Sequence, residues 1–129
     1  MIRLLLVDDD QNVRCGLRMR LGLEPDLAVI GEAGDGVTAL AAAARMNPDV
    51  VVLDVRMPGL DGFGTASAMR EQFPTMSVLM LSIYDSAAVR ARAAECGATG
   101  FVGKHEPADA LLAAIRSVAS SSPGNDGPN

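Results

Sequence analysis

Five short apolar runs punctuate the chain at intervals of about twenty-five residues, at 2–7, 27–30, 50–53, 78–81 and 101–102. The stretches between them carry helical periodicity. Val13, Leu17 and Leu21 recur at i, i+4 and i+8, a stripe on one helix face. Residues 38–46 are Ala-rich and stop at Asn47-Pro48, as a helix end should. A third helical stretch, 64–73, ends before Pro74, and a fourth, 85–96, ends at Gly97, a C-terminal cap. Pro107 suits the first turn of a last helix that places Leu111, Ile115 and Val118 on one side. A strand–helix unit repeated five times implies a parallel sheet with helices on both faces, an α/β fold. The three middle runs lack polar alternation, which fits strands buried on both sides.

The 129 residues suit one domain, and an apolar content of 49% is enough for a real core. Aromatic residues are few, so that core must be built from Val, Leu, Ile, Met and Ala. A formal charge of -5 argues against this segment gripping nucleic acid, which needs a basic face. Cys15 and Cys96 have neither CxxC spacing nor further partners, so they read as two small thiols in a reducing cytosol. The first apolar run is interrupted by Arg3 and ends in three aspartates, unlike a signal peptide. No run approaches the roughly 20 apolar residues of a membrane span. The expectation is a soluble, cytoplasmic domain over residues 1–118. The segment 119–129, "ASSSPGNDGPN", reads as a flexible linker or tail.

In a parallel α/β sheet, ligands bind beyond the carboxyl ends of the strands. The first strand delivers Asp8, Asp9 and Asp10 there, the third Asp54, the fourth Ser82 and the fifth Lys104. The second ends near Gly31 to Gly34 and offers little chemistry. Two unit charges about 4 Å apart repel by roughly 4 kcal/mol at an effective dielectric near 20. Clustered carboxylates therefore call for a cation among them. Lys104, the sole lysine beside ten arginines, offers one positive charge. A divalent ion offers two, and an all-oxygen donor set without His or Cys points to Mg²⁺ or a similar hard ion. Taken singly, such residues are ordinary: Asp10, Asp35, Asp61 and Asp85 read as helix caps or turn residues. It is the shared edge that singles out the others, and spacing alone does not say which Asp is nucleophile and which are ligands.

"LLLVDDD", "PDVVVLDVRMPGLDG", "VLMLS" and "GATGFVGK", in that order, closely resemble the receiver domain of bacterial two-component response regulators, over residues 2–118. "VIGEAGDG" and "LSIYD" resemble the NarL/FixJ (LuxR-type) subfamily, whose members usually carry a C-terminal helix-turn-helix domain. The resemblance implies a doubly wound, flavodoxin-like (CheY-like) sheet of strand order 2-1-3-4-5. It implies that Asp54 attacks a phosphohistidine of a sensor histidine kinase, with Mg²⁺ held by Asp9 directly, Asp8 through water, Asp54 and the Arg56 carbonyl. Lys104 would pair with a phosphoryl oxygen and the Ser82 hydroxyl would bind the phosphoryl group. Phe101 takes the place of the aromatic switch residue, and Arg56 and Tyr84 occupy positions that tune the lifetime of the phosphoryl group. The output would be transcription regulation through a DNA-binding domain outside this chain, with homodimerisation on phosphorylation. Two departures stand out: His105 follows Lys104 where many receivers have Pro, leaving that peptide's isomer open, and Phe101 lacks a phenolic hydroxyl.

Two other functions compete. A haloacid-dehalogenase-type hydrolase also uses an Asp nucleophile and Mg²⁺, but pairs it with a second Asp two residues on, where Arg56 stands here. A stand-alone or phosphorylation-independent interaction domain would keep the fold without the switch. The intact set Asp8, Asp9, Asp54, Ser82 and Lys104 speaks against it.

Overall fold

The computed structural model describes residues 1–55 and 62–120. Five strands and five helices alternate along the chain. They are β1 (Ile2–Val7), α1 (Gln11–Leu21), β2 (Leu27–Ala33), α2 (Gly36–Met46), β3 (Val50–Asp54), α3 (Gly62–Gln72), β4 (Ser77–Ser82), α4 (Ala87–Glu95), β5 (Gly100–Gly103) and α5 (Ala108–Ser120). The strands form one parallel sheet in the order β2-β1-β3-β4-β5. This is the predicted doubly wound architecture.

Each middle strand splits its side chains between two cores. Leu5, Val7, Val51, Leu53, Val78 and Met80 face one way, against Ala39, Ala42, Ala43, Ala66, Met69 and Ala93 of α2, α3 and α4. Leu4, Leu6, Val50, Val52, Leu79 and Leu81 face the other, against Leu21 of α1 and Leu111, Leu112, Ile115 and Val118 of α5. Burial on both faces explains why the runs 50–53 and 78–81 carry no polar residue, whereas the run 27–30, expected to be buried likewise, lies in edge strand β2 and is mostly only half-buried. Small side chains on α2–α4 let those helices lie close to the sheet, whereas α1 and α5 fill their side with Leu, Ile and Val. α4 is the most lightly held helix: its one buried residue is Ala93, and Val89, the apolar anchor expected from the sequence, is only half-buried.

Local chemistry sets the helix ends. Asp10 caps α1 by accepting from the Asn12 and Val13 amides, and Asp35 caps α2 by accepting from Thr38. α2 stops at Asn47, in the left-handed region at φ 49°. Gly97, at φ +90°, turns the chain out of α4 as expected of a C-terminal glycine. Asp85 is not the cap of α4; Ser86 accepts from the Val89 amide in that role, and the Asp85 carboxylate is drawn instead to Arg90. The cap expected at Asp61 lies outside the described residues. A Cβ at Gly62 would collide with the backbone of Asp54 and Val55, so only glycine lets α3 start so close to the end of β3. β2 runs to Ala33, within the Gly31 to Gly34 stretch where it was expected to end, and α5 runs to Ser120, two residues into the expected tail.

Ile115 is fully buried between α5 and the sheet. Ile115→Ala should lower unfolding stability by about 2–5 kcal/mol, read from the shift of a urea or guanidinium transition.

Candidate functional site

Strand register assembles the site. Val7 pairs with Leu53, so the next residues of the two strands, Asp8 and Asp54, emerge side by side at the carboxyl edge. Asp54 pairs with Leu81, and Ser82 follows it on β4. Ser82 pairs with Gly103, which puts Lys104 two rows beyond Asp54. Lys104 is long enough to reach back: its Nζ lies 3.1 Å from Asp8 Oδ2 and 3.3 Å from Asp54 Oδ1. Asp8 and Asp54 are buried, at 3% and 6% relative exposure, while Asp9 is exposed. Burial pulls the Lys104 ammonium down, but the hydrogen bond to Asp8 and the field of Asp54 outweigh it, so its pKa stands above the ordinary lysine value.

The three carboxylates of Asp8, Asp9 and Asp54 each offer an oxygen within 4.8 Å of the others. That spacing and an all-carboxylate donor set fit a hard divalent ion. The expected contribution of the Arg56 carbonyl, and the tuning role of the Arg56 side chain, fall outside the described residues. Ser82 is buried at 1% exposure, and its Oγ accepts a 2.9 Å hydrogen bond from the Tyr84 amide. Accepting that bond leaves the hydroxyl its proton to donate. The Tyr84 side chain is half exposed. The Lys104 amide donates to the Ser82 carbonyl at 2.7 Å, which fastens the loop bearing Lys104 to β4. There are no cis peptide bonds among the described residues, so Lys104-His105 is trans.

Phe101 stands apart from the carboxylates. It is half-buried against the α2–α4 core, with the Arg90 guanidinium 4.6 Å from its ring centroid. Arg90 also pairs with Asp85 and lies 3.8 Å from Glu106, whose carboxylate accepts from the Gly103 amide at 2.7 Å. One side chain of α4 thus meets the aromatic ring of β5 and the loops on either side.

Sequence reasoning missed Glu32 and Arg14. The end of β2, expected to offer little chemistry, presents Glu32 to Arg14 Nε at 3.0 Å and to Arg18 Nε at 2.6 Å. The bond to Arg18 and then that to Arg14 hold the Glu32 carboxyl below its ordinary pKa. Arg14 also donates to the Asp8 carbonyl, directly behind the acidic cluster. No local pattern signals a pair 18 residues apart.

Residues 4–116 match the family model described as the response regulator receiver domain. The chain belongs to the response regulator receiver family. Among relatives, it is 40% identical over 119 residues to the transcriptional regulatory protein UhpA of Escherichia coli strain K12, covering 92% of this chain and 59% of that protein. It is 35% identical to the nitrate/nitrite response regulator protein NarP of the same strain, over 93% of this chain and 56% of the relative. Among solved structures, the receiver domain of a NarL-type response regulator from Mycobacterium tuberculosis superposes with a TM-score of 0.87 at 35% identity, covering 92% of this chain and 96% of that one. The chain is therefore a receiver domain of two-component response regulators, similar to LuxR-family members. It spans between half and three fifths of the length of the curated relatives it matches first. No helix among the described residues is long and apolar enough to cross a membrane.

The Arg90–Asp85 pair has a titration signature. The hydrogen bond from Arg90 holds the Asp85 carboxyl below its ordinary value. A depressed carboxyl stabilises the fold above its unfolded pKa, and that contribution is lost as the pH falls through the lower, folded value. In a carboxyl-carbon NMR titration Asp85 should titrate below about 3.9, and Arg90→Ala should bring it back toward that value.

Proposed function

We propose that Asp54 is the phosphoacceptor of this receiver and that Asp8, Asp9, Lys104 and Ser82 serve its phosphorylation. The observation that carries the reading is the convergence of Asp8, Asp9 and Asp54 with the Lys104 ammonium at one sheet edge. A carboxylate oxygen of Asp54 attacks the phosphorus of a phosphohistidine on a sensor histidine kinase. The new O–P bond forms as the N–P bond breaks, and the imidazole nitrogen leaves with that electron pair and takes a proton. Asp8, Asp9 and Asp54 would hold Mg²⁺, which would supply charge neutralisation on the transferring oxygens. Lys104 turns from its two carboxylates to a phosphoryl oxygen, adding a charge-assisted hydrogen bond. Ser82 donates its hydroxyl proton to another phosphoryl oxygen, a contact that exists only once the group has arrived.

That difference in contacts is what shifts the domain between states. The Ser82 hydroxyl is drawn toward Asp54, Phe101 turns into the space it leaves, and α4, whose one fully buried residue is Ala93, moves with them. Tyr84 and Arg56 set how readily water reaches the acyl phosphate. The domain catalyses only its own phosphorylation and dephosphorylation. It works in the cytoplasm, homodimerises when phosphorylated, and regulates transcription through a DNA-binding domain joined beyond α5; past Ser120 the linker expected over 119–129 lies outside the described residues. Support for the output comes from relatives that are transcriptional regulators and from the unmatched remainder of their length.

Incubation with Mg²⁺ and acetyl phosphate should raise the intact mass by one phosphoryl group. Asp54→Asn or removal of Mg²⁺ with EDTA should abolish the increase. A wild-type chain that neither labels nor binds beryllofluoride sinks the proposal. Ser82→Ala should still label but lose the phosphorylation-dependent gain in dimer, measured by sedimentation.

A further inference from the structure

Every polar group of Asp8 for which a partner is seen is tied to a different part of the chain. Its amide donates to the Ala33 carbonyl at 3.1 Å, the last bond between β1 and the end of β2. Its Oδ1 accepts from the Asp10 amide at 2.9 Å and its Oδ2 from Lys104. Beyond Ala33 the β1–β2 ladder has run out, and the Asp8 carbonyl accepts instead from the guanidinium of Arg14. That carbonyl belongs to the peptide unit joining Asp8 to Asp9. Its orientation governs where both carboxylates stand relative to Asp54.

Arg14 is itself held. Its Nε donates to Glu32, a residue of β2, and its side chain is only 16% exposed. Glu32 is braced a second time by Arg18, one turn further along α1. The guanidinium thus spans from a strand carboxylate to the backbone between two acidic residues, which takes two donors in a fixed plane. On charge alone the placement is adverse, since a cation behind a carboxylate cluster repels a second cation. The arrangement makes sense as geometry.

We propose that Arg14 is a positioning residue for the cation-binding end of the site, fixing the Asp8–Asp9 peptide against Glu32 so that the two carboxylates and Asp54 face a common point. This rests on the reading that the acidic cluster takes Mg²⁺. Partners that orient metal ligands typically account for 10–100-fold in affinity. Removing the positive charge of Arg14 without any positioning role would instead tighten Mg²⁺ binding, so the sign of the effect discriminates.

The test is a Mg²⁺ titration of the ¹⁵N-labelled 129-residue chain, followed through the amide shifts of Asp8, Asp9 and Asp54. Arg14→Met should weaken Mg²⁺ binding by about 10-fold. Arg14→Lys keeps the charge but not the planar fork, and should also bind Mg²⁺ more weakly than wild type. Acetyl phosphate labelling of both variants should recover when Mg²⁺ is raised to saturation, a split that a general loss of folding would not produce. Mg²⁺ affinity of Arg14→Met equal to or tighter than wild type overturns the proposal. If thermal melting shows Arg14→Met unfolded, unchanged Mg²⁺ affinity in Arg14→Lys overturns it. Wild type showing no Mg²⁺-dependent shift overturns the metal reading itself, and this proposal with it.

Discussion

The carboxyl edge depends on two carboxylates held almost out of solvent side by side, with one ammonium between them. Asp8 and Asp54 end strands whose preceding residues are buried on both faces, so neither can retreat from the other without breaking the sheet. Their repulsion at short range is worth several kcal/mol at an effective dielectric near 20. Lys104 offsets part of it from two rows away, just past the end of β5. Among the described residues, the carboxylates of Asp8 and Asp54 thus share one ammonium, with Asp9 close by. Such a cluster of carboxylate oxygens fits a hard divalent ion, the group proposed for this edge.

Arginines carry the scaffolding around that edge. Arg14 and Arg18 brace Glu32 behind the acidic loop. Arg90 gathers Asp85, Glu106 and the ring of Phe101 on the other side. Guanidinium suits such work because its planar fork meets several acceptors at once and stays charged. Among the described residues, the lone lysine is the cation that reaches both buried carboxylates, where a compact charge on a flexible stem can change partners. Flexibility is distributed accordingly. α1 and α5 are keyed into the sheet by Leu, Ile and Val, whereas α4 rests on one alanine and on the polar contacts of Arg90.

Much of this was legible in the chain. The unbroken apolar run 50–53 announced a strand buried on both faces, and its abrupt end at Asp54 announced a functional edge. Asp10, Asp35 and Gly97 marked helix ends by the chemistry of single residues. Single-residue chemistry left the choice open where two residues offered the same service. Asp85 and Ser86 are both competent caps, and the choice fell to Ser86 because Arg90, a turn into α4, claims the Asp85 carboxylate. The end of β2 was misjudged for a similar reason: Glu32 looks like a solvated residue until α1 is folded back over it.

By itself, then, the order of residues determined which segments become strands and helices, which faces they bury, and which charged groups reach the sheet's carboxyl edge. These follow from periodicity and from local capping, interactions between residues a few positions apart. Only the tertiary structure decided that Lys104 bridges Asp8 and Asp54, that Arg14 holds the peptide between Asp8 and Asp9, and that Arg90 covers Phe101. Those pairings depend on strand register and helix packing, which bring together side chains from distant points of the chain. Electrostatic strength falls with distances of a few ångströms that no spacing in sequence encodes.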